Sequence, residues 1–306
     1  MPTPEISQSW ADSLEPGIRY WFWHGFNRFD PQTNPSRRVQ LFNVVPSEKD
    51  TEHYEGYGVI PIDGWNLFAT SGIIPTVGYD AGYKTNIQNT TFAQKVAARK
   101  EWMEDNLYPQ IFQPAELLGD IAALKMEVDA ASVFNNAISA SYVGADAVAL
   151  GSTLHPNSPT SSTTQSNYGT LALTPANIET TRLAMIAFTD DRGGLLGITP
   201  DTILVPPGLE YAARQAVLST DDPTTANRAI NPRAGAYNII PWNFLTSSTR
   251  WCMIDSTRMK RSLFWQERIP INIAPEVMDT SVEARWIARM RYAYGWVDWR
   301  WIYVQN

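Results

Sequence analysis

The chain has 306 residues, 44% apolar and 18% charged, with 12 Trp, 13 Tyr and 11 Phe. It is therefore long enough to bury a substantial core, and it carries a surplus of aromatic side chains to place there. Twenty-four basic against 31 acidic residues leave a net charge of −7, which argues against tight or sequence-specific DNA binding, because phosphate affinity depends on clustered Lys and Arg.

An acidic wall can still enclose DNA without gripping it. The single cysteine, Cys252, excludes an internal disulfide, and His24, His53 and His155 lack the spacing of a zinc site. Residues 1–5 show no basic n-region, and no run of about 18 apolar residues occurs. The expectation is a soluble, unexported chain with no membrane partner.

In chain order, residues 1–50 read as an irregular arm broken by Pro16, Pro31, Pro35 and Pro46. Within it, YWFWHGFNRF brings together Tyr20, Trp21, Phe22, Trp23, Phe26 and Phe29, too much apolar surface to stay wet. The segment is either a short helix on the chain's own core or an arm that packs on a neighbouring subunit. From Ile62 to Thr91, Gly64, Gly72, Pro75, Gly78 and Gly82 interrupt any regular period. This is a long connection, either an ordinary hairpin with a wide tip or a binding loop whose tip touches a partner.

A short strand over 92–98 runs into a helix that stops before Pro109. A longer helix is predicted from Pro114, a residue suited to the first helical turn. Its stripe of Leu117, Ile121, Leu124, Val128, Ala131 and Ile138 is expected to face the core. Glu116, Asp120, Lys125, Glu127 and Asp129 fall on the other face, solvated or in polar contact. ADAVALGSTLHP reads as a turn and strand, and NSPTSSTTQSNYG as a polar, mobile loop. Thr174 and Pro175 open a helix whose buried face is Ile178, Thr181, Met185 and Phe188. TILVPP is a short buried strand and GLEYAARQAVL a further helix. From Val282 to Trp296 every even position is apolar, while Glu283, Arg285, Arg289 and Arg291 occupy odd ones. That is a long strand with one face in the core. The shift to Trp299, Trp301 and Tyr303 after Gly295 is expected to mark a bulge.

No catalytic template is convincing. Asp190 and Asp191 could take a divalent cation, but such ions need six or more oxygens, and Asp201 and Asp146 are the only obvious further donors. Gly193, Gly194 and Gly197 lack the Lys-Ser/Thr of a phosphate loop, so FTDDRGGLLG reads as a chain reversal. Ser152 and His155 leave a Ser-His-Asp site open, although no GxSxG elbow exists. Cys252, in RWCMID, reads as a buried thiol. Aromatic platforms for sugars are a competing idea, weakened by tryptophans placed at core periods.

The segment LTPANIETTRLAMIAFTDDRGGLLGITPDTILVPPGLEYAARQAVLS resembles the most distinctive stretch of the Mu-like major head subunits, phage capsid proteins of the Hong Kong 97-type fold. WMEDNLY, FNNAI, STLHP, Asn231-Pro232 and YGWVDWRWIY resemble family segments in the same order, over residues 90–306. LEPGIRYWF and FNVVPSEK add weaker support. The chain departs from the founding member in lacking a long charged helical segment at its N-terminus, so an internal scaffolding domain looks absent.

The resemblance implies an α+β fold with an N-terminal arm (1–55), an extended loop region (56–92), a peripheral domain with a spine helix (93–170), an axial domain (171–264) and C-terminal strands completing both sheets (265–306). It also implies a non-enzymatic subunit, without cofactor or metal, that forms pentamers and hexamers of an icosahedral shell. Portal and scaffolding proteins are the implied partners, and double-stranded DNA is enclosed without sequence-specific binding. The location is the virion capsid, assembled in the host cytoplasm. Trp21, Trp23, Phe26, Gly72, Tyr79, Tyr83, Lys84, Asp190, Asp191 and Arg192 are the expected inter-subunit contacts. The alternatives are a protein-storing nanocompartment of the same fold and a carbohydrate-binding protein.

Overall fold

The computed structural model describes residues 9–29, 34–57, 81–221, 230–276 and 283–306. Gly72 and Tyr79, with most of the glycine-rich connection, lie outside the described residues.

The N-terminal segment is not irregular. Residues Ser9–Phe26 form helix α1, followed by α2 (Arg37–Leu41) and strand β1 (Asn43–Pro46). Pro16 sits inside α1, where its fixed φ is compatible with the helix although a backbone hydrogen bond is lost. Burial of Leu14, Ile18 and Phe22 offsets that loss, at roughly 1.5–3 kcal/mol for each side chain.

Next come β2 (Thr51–Tyr57), β3 (Ala81–Gln88), β4 (Thr90–Arg99), α3 (Lys100–Glu104) and α4 (Tyr108–Asn135). The long helix thus begins six residues before Pro114. Pro109 occupies its first turn and Pro114 lies within it.

The predicted core stripe of α4 is also corrected. Leu117, Ile121 and Val128 are 61%, 52% and 45% exposed, and Ile138 beyond the helix is exposed too. The buried face is instead Ile111, Ala115, Leu118, Gly119, Ala122, Ala123, Met126, Ala130, Val133 and Phe134, with Ala131. The reason is α1, which packs along α4 so closely that two crossing points leave no room for a Cβ. A Cβ on Gly119 would lie 2.0 Å from the Phe22 carbonyl oxygen, and one on Gly25 would lie 2.0 Å from that of Glu116. Polar residues flank this seam: His24 Nδ1 meets Glu116 Oε1 at 2.9 Å, and Arg28 donates to Asp120 at 2.5 Å. Glu127 and Asp129, expected in polar surroundings, are buried. Glu127 accepts from the Ser36 hydroxyl at the start of α2, and Asp129 accepts from Lys125 and the Tyr292 hydroxyl.

Further on are β5 (His155–Pro156), β6 (Thr164–Gln165), β7 (Tyr168–Gly169), α5 (Pro175–Ile186), β8 (Thr202–Val205), α6 (Pro207–Leu218), β9 (Asn238–Pro241), β10 (Trp251–Ile254) and α7 (Ser256–Ser262). Three strands finish the chain: β11 (Leu263–Pro275), β12 (Glu283–Trp296) and β13 (Ile302–Gln305). Thr174 caps α5 by accepting from the Asn177 amide, and Ile178, Thr181, Met185 and Phe188 are buried.

Two larger sheets result, one of strand order β1-β11-β12-β4 and one of order β7-β13-β10-β8-β9. In β12 the alternation is realised, with Ala284, Trp286, Ala288, Met290 and Tyr292 buried. Their face stacks aromatic rings across strands: Phe92 on Tyr292 at 4.7 Å and Tyr292 on Trp265 at 4.6 Å. No bulge explains the change after Gly295. The strand ends at Trp296, and a turn over 297–301, fixed by Trp301 Nε1 donating to the Asp298 carbonyl at 2.7 Å, delivers the chain into the other sheet. In that sheet β8 and β10 are buried at every position, as strands covered on both faces require. Among the described residues seven tryptophans are buried, so much of the aromatic surplus is core.

Candidate assembly surface

The polar loop over 157–169 is fastened to its surroundings. Asn167 is fully buried, donates to the Leu150 carbonyl and accepts from the Ser152 amide. Gln165 exchanges hydrogen bonds with both backbone groups of Thr189, at 2.8 and 2.9 Å. Thr189 opens the DDRGG turn, so the loop holds that turn in place.

The turn is built by its own first aspartate. Asp190 Oδ1 accepts from the amides of Arg192 and Gly194 at 2.8 and 2.7 Å, and the Asp190 amide donates to the Gly194 carbonyl. Gly193 and Gly197 have φ of 87° and 62°, a region that favours glycine. A carboxylate occupied in this way is a turn organiser and not a metal ligand. Among the described residues no cluster of His, Cys, Asp or Glu suits a metal ion.

Arg300 clamps the same region from the β12–β13 turn. Its guanidinium donates to the Thr189 and Asn157 carbonyls at 3.2 and 2.8 Å, pairs with Asp298 at 3.0 Å and lies over the Trp299 ring. From the third side, Tyr83 at the far end of the β2–β3 ladder points its hydroxyl at the Pro156 carbonyl, 3.4 Å away. Burial pushes the Tyr83 phenol above its usual range, and Asp146 adds to the effect. Gly56 and Gly82 face each other there, since a Cβ on Gly82 would sit 2.6 Å from the Gly56 carbonyl. The far end of the β2–β3 ladder, the turn and the C-terminal clamp line a cleft of about 220 Å³, with Tyr83, Asp190, Asp191, Arg258 and Arg300 among its walls.

Three expected contact residues, Tyr83, Asp190 and Asp191, are thus gathered around one cleft. Lys84 lies beside them on β3 and pairs with Glu55 at 2.7 Å. Arg192 belongs to the turn itself. Trp21, Trp23 and Phe26 lie apart on α1, where Trp23 is exposed, Trp21 and Phe26 are half-buried, and only the intervening Phe22 is core. Tyr20 and Trp21 meet edge to face at 5.5 Å, and Trp23 and Phe26 do so at 5.4 Å.

Sequence reasoning missed the α4 stripe as an exposed surface, and it missed Arg300. The odd-numbered arginines of β12 carried the only available signal of an outward charged face.

His155 does not build a hydrolytic site. It is fully buried, stacks on Trp299 at 4.2 Å and meets Asp146 through Nδ1 at 2.6 Å, so no solvent-borne substrate reaches it. Cys252 is buried, and desolvation pushes its thiol up to about 12. Among the described residues no helix is long and apolar enough to cross a membrane.

Solved shell proteins superimpose on this chain. The virus-like particle of Pyrococcus furiosus superimposes with a TM-score of 0.56 at 9% identity, covering 96% of this chain and 99% of that one. The procapsid of bacteriophage JBD30 gives 0.54 at 15% identity, over 99% of this chain and 76% of its own. The holo-SrpI encapsulin complex of Synechococcus elongatus PCC 7942 gives 0.50 at 12% identity, over 90% and 89%. The fold is the Hong Kong 97-type fold of capsid shells. None of the curated protein sequences is a match. The family model described as phage capsid protein matches residues 82–305, and the chain belongs to that family.

Proposed function

We propose that the chain is the major capsid subunit that closes into pentamers and hexamers of an icosahedral shell around a double-stranded DNA genome. The family match over residues 82–305 carries this reading, and shell-forming structural neighbours support self-association. Heterologous contacts generate such rings when the rotation closes, and many modest contacts add up across a lattice. In this reading residues 1–55 are the arm, 56–92 the extended loop, 93–170 the peripheral domain, 171–264 the axial domain, and 265–306 the strands completing both sheets. Portal and scaffolding proteins are the further partners, and assembly takes place in the host cytoplasm. Trp21, Trp23, Phe26, Gly72, Tyr79, Tyr83, Lys84, Asp190, Asp191 and Arg192 are the proposed inter-subunit contacts, the aromatic residues as apolar anchors.

A second reading, a protein-storing nanocompartment, rests on the likeness to the holo-SrpI encapsulin complex over 90% of this chain. Sedimentation and negative-stain imaging of the purified chain, alone and with a scaffold protein, test the proposal. Rings or closed shells support it, and a persistent monomer refutes it. Particles that enclose protein and no DNA during phage production favour the second reading. Joint replacement of Trp21, Trp23, Tyr79, Tyr83 and Lys84 is expected to abolish shells while leaving a folded monomer, and normal shells would refute their role.

A further inference from the structure

The outward face of the four-stranded sheet has a composition that folding of the subunit does not explain. Antiparallel register sets Arg289 opposite Ala93, Arg285 opposite Ala97 and Glu283 opposite Arg99, with Ile287 opposite Lys95. Directly opposed residues share a face, so long cations stand over a floor of alanines. Five cations, Lys95, Arg99, Arg285, Arg289 and Arg291, are met by three carboxylates, Glu276, Glu283 and Asp50. Arg99 and Arg289 are exposed and make no ion pair or hydrogen bond through their side chains among the described residues.

Cations on an edge strand have a protective use, since they discourage edge-to-edge pairing. That accounts for Lys95 and Arg99 on β4, the outermost strand, but not for Arg289, because β12 lies inside the sheet between β11 and β4. A duplex nucleic acid is a poor occupant. Two unpaired cations release few counterions, and the interleaved carboxylates would meet the phosphates. The low alanine floor with Ile287 at its centre suits a protein surface, and the chain's own net charge of −7 has the complementary sign.

We propose that this face is a contact between copies of the chain, seated against an acidic surface of a second copy. The inference rests on the shell-subunit reading above and deepens it by naming a face and the chemistry of its partner. Complementary charge of this kind sets register and association rate more than affinity.

The test compares three full-length chains: wild type, Arg99→Glu with Arg289→Glu, and a control of equal charge change at exposed residues elsewhere, Lys49→Glu with Arg261→Glu. Assembly with scaffold protein is followed by sedimentation from about 50 to 500 mM salt, a range over which screening tightens several-fold, and urea unfolding confirms that all three fold alike. The expected result is a loss of assembly of at least tenfold for the face variant at low salt, a wild-type yield that falls as salt rises, and a control close to wild type. Wild-type yield from the face variant, or an equal loss in the control, overturns the contact and leaves the shell reading standing. A wild-type chain that stays monomeric throughout overturns both. Duplex DNA bound by the wild-type subunit and lost in the face variant, measured by fluorescence anisotropy, also overturns the proposal by identifying nucleic acid as the occupant.

Discussion

A methyl group at Gly119 tests the close approach of α1 to α4. In Gly119→Ala the new Cβ would lie 2.0 Å from the Phe22 carbonyl oxygen and 2.9 Å from the Phe26 amide nitrogen. Ordinary carbon–oxygen contacts begin near 3.3 Å, so α1 must retreat by about 1 Å or more. The helix buries Leu14, Ile18 and Phe22, which together contribute roughly 5–9 kcal/mol as an upper estimate. A gap of about 1 Å forfeits a quarter to a half of close-contact attraction, or about 1–4 kcal/mol. Alanine returns up to about 1 kcal/mol in helix propensity. The net expectation is a loss of about 2 kcal/mol by urea unfolding, together with faster proteolysis within residues 9–29. Gly208→Ala is the internal control. It sits in α6 with nothing within 4 Å of the added atom, and the same substitution is expected to be neutral or stabilising by up to about 1 kcal/mol. An unfolding midpoint for Gly119→Ala at or above wild type, with α1 still protected, would refute the packing argument.

Arg300→Ala removes hydrogen bonds to the Thr189 and Asn157 carbonyls and is expected to cost about 2–3 kcal/mol. Arg300→Lys should recover less than half of that, because only a planar guanidinium spans both carbonyls; equal stability of the two variants would count against the clamp. The Arg182 guanidinium beside Glu179, with Arg233 behind it, lowers that carboxyl to about 2. A carboxylate depressed on folding adds stability that is present above its unfolded value near 4.5 and is lost as pH falls towards 2. Glu179→Gln should therefore be less stable than wild type at neutral pH, by about 1 kcal/mol after solvent screening, and the two unfolding curves should converge between those pH values. Cys252 should react with a thiol reagent only at the rate of unfolding, because burial holds it in the thiol form; rapid labelling of the native subunit would contradict its placement.

Much of the second half of the chain was legible because its signals are local. The alternation through Trp286, Met290 and Tyr292 needs only a sheet with one covered face, and Thr174-Pro175 needs only a helix start. The long helix misled for a physical reason. It is apolar on most of its circumference, and the usual assumption sends Leu117, Ile121 and Val128 inward as the largest side chains. Close packing of α1 inverts that order, since contacts fixed at Gly25 and Gly119 turn Ala115, Leu118, Ala122 and Met126 inward and leave Leu117, Ile121 and Val128 outside. Only the partner helix reveals the preference, and its prolines disguised it as a loose arm. The cleft around Tyr83, Asp190 and Arg300 was half legible: the turn could be read from Asp190 and Gly193, but the clamp comes from residues more than a hundred positions away. Trp299, likewise, was visible as an aromatic at a changed phase, not as the stacking partner of His155.

The strand exchange at the β12–β13 turn bears on the timing of synthesis. Both inner strands of the four-stranded sheet, β11 and β12, come from residues 263–296, and β13, from residues 302–305, separates β7 from β10 in the other sheet. A ribosome that has translated the first 260 residues has therefore produced neither sheet in closed form, and β1, made early, waits more than two hundred residues for its neighbour β11. Chains fold as their segments emerge, so the requirement for residues 263–305 works as a delay. In the proposed shell-subunit reading, neighbouring nascent chains on the same messenger have no finished sheets to offer one another until β13 has been made.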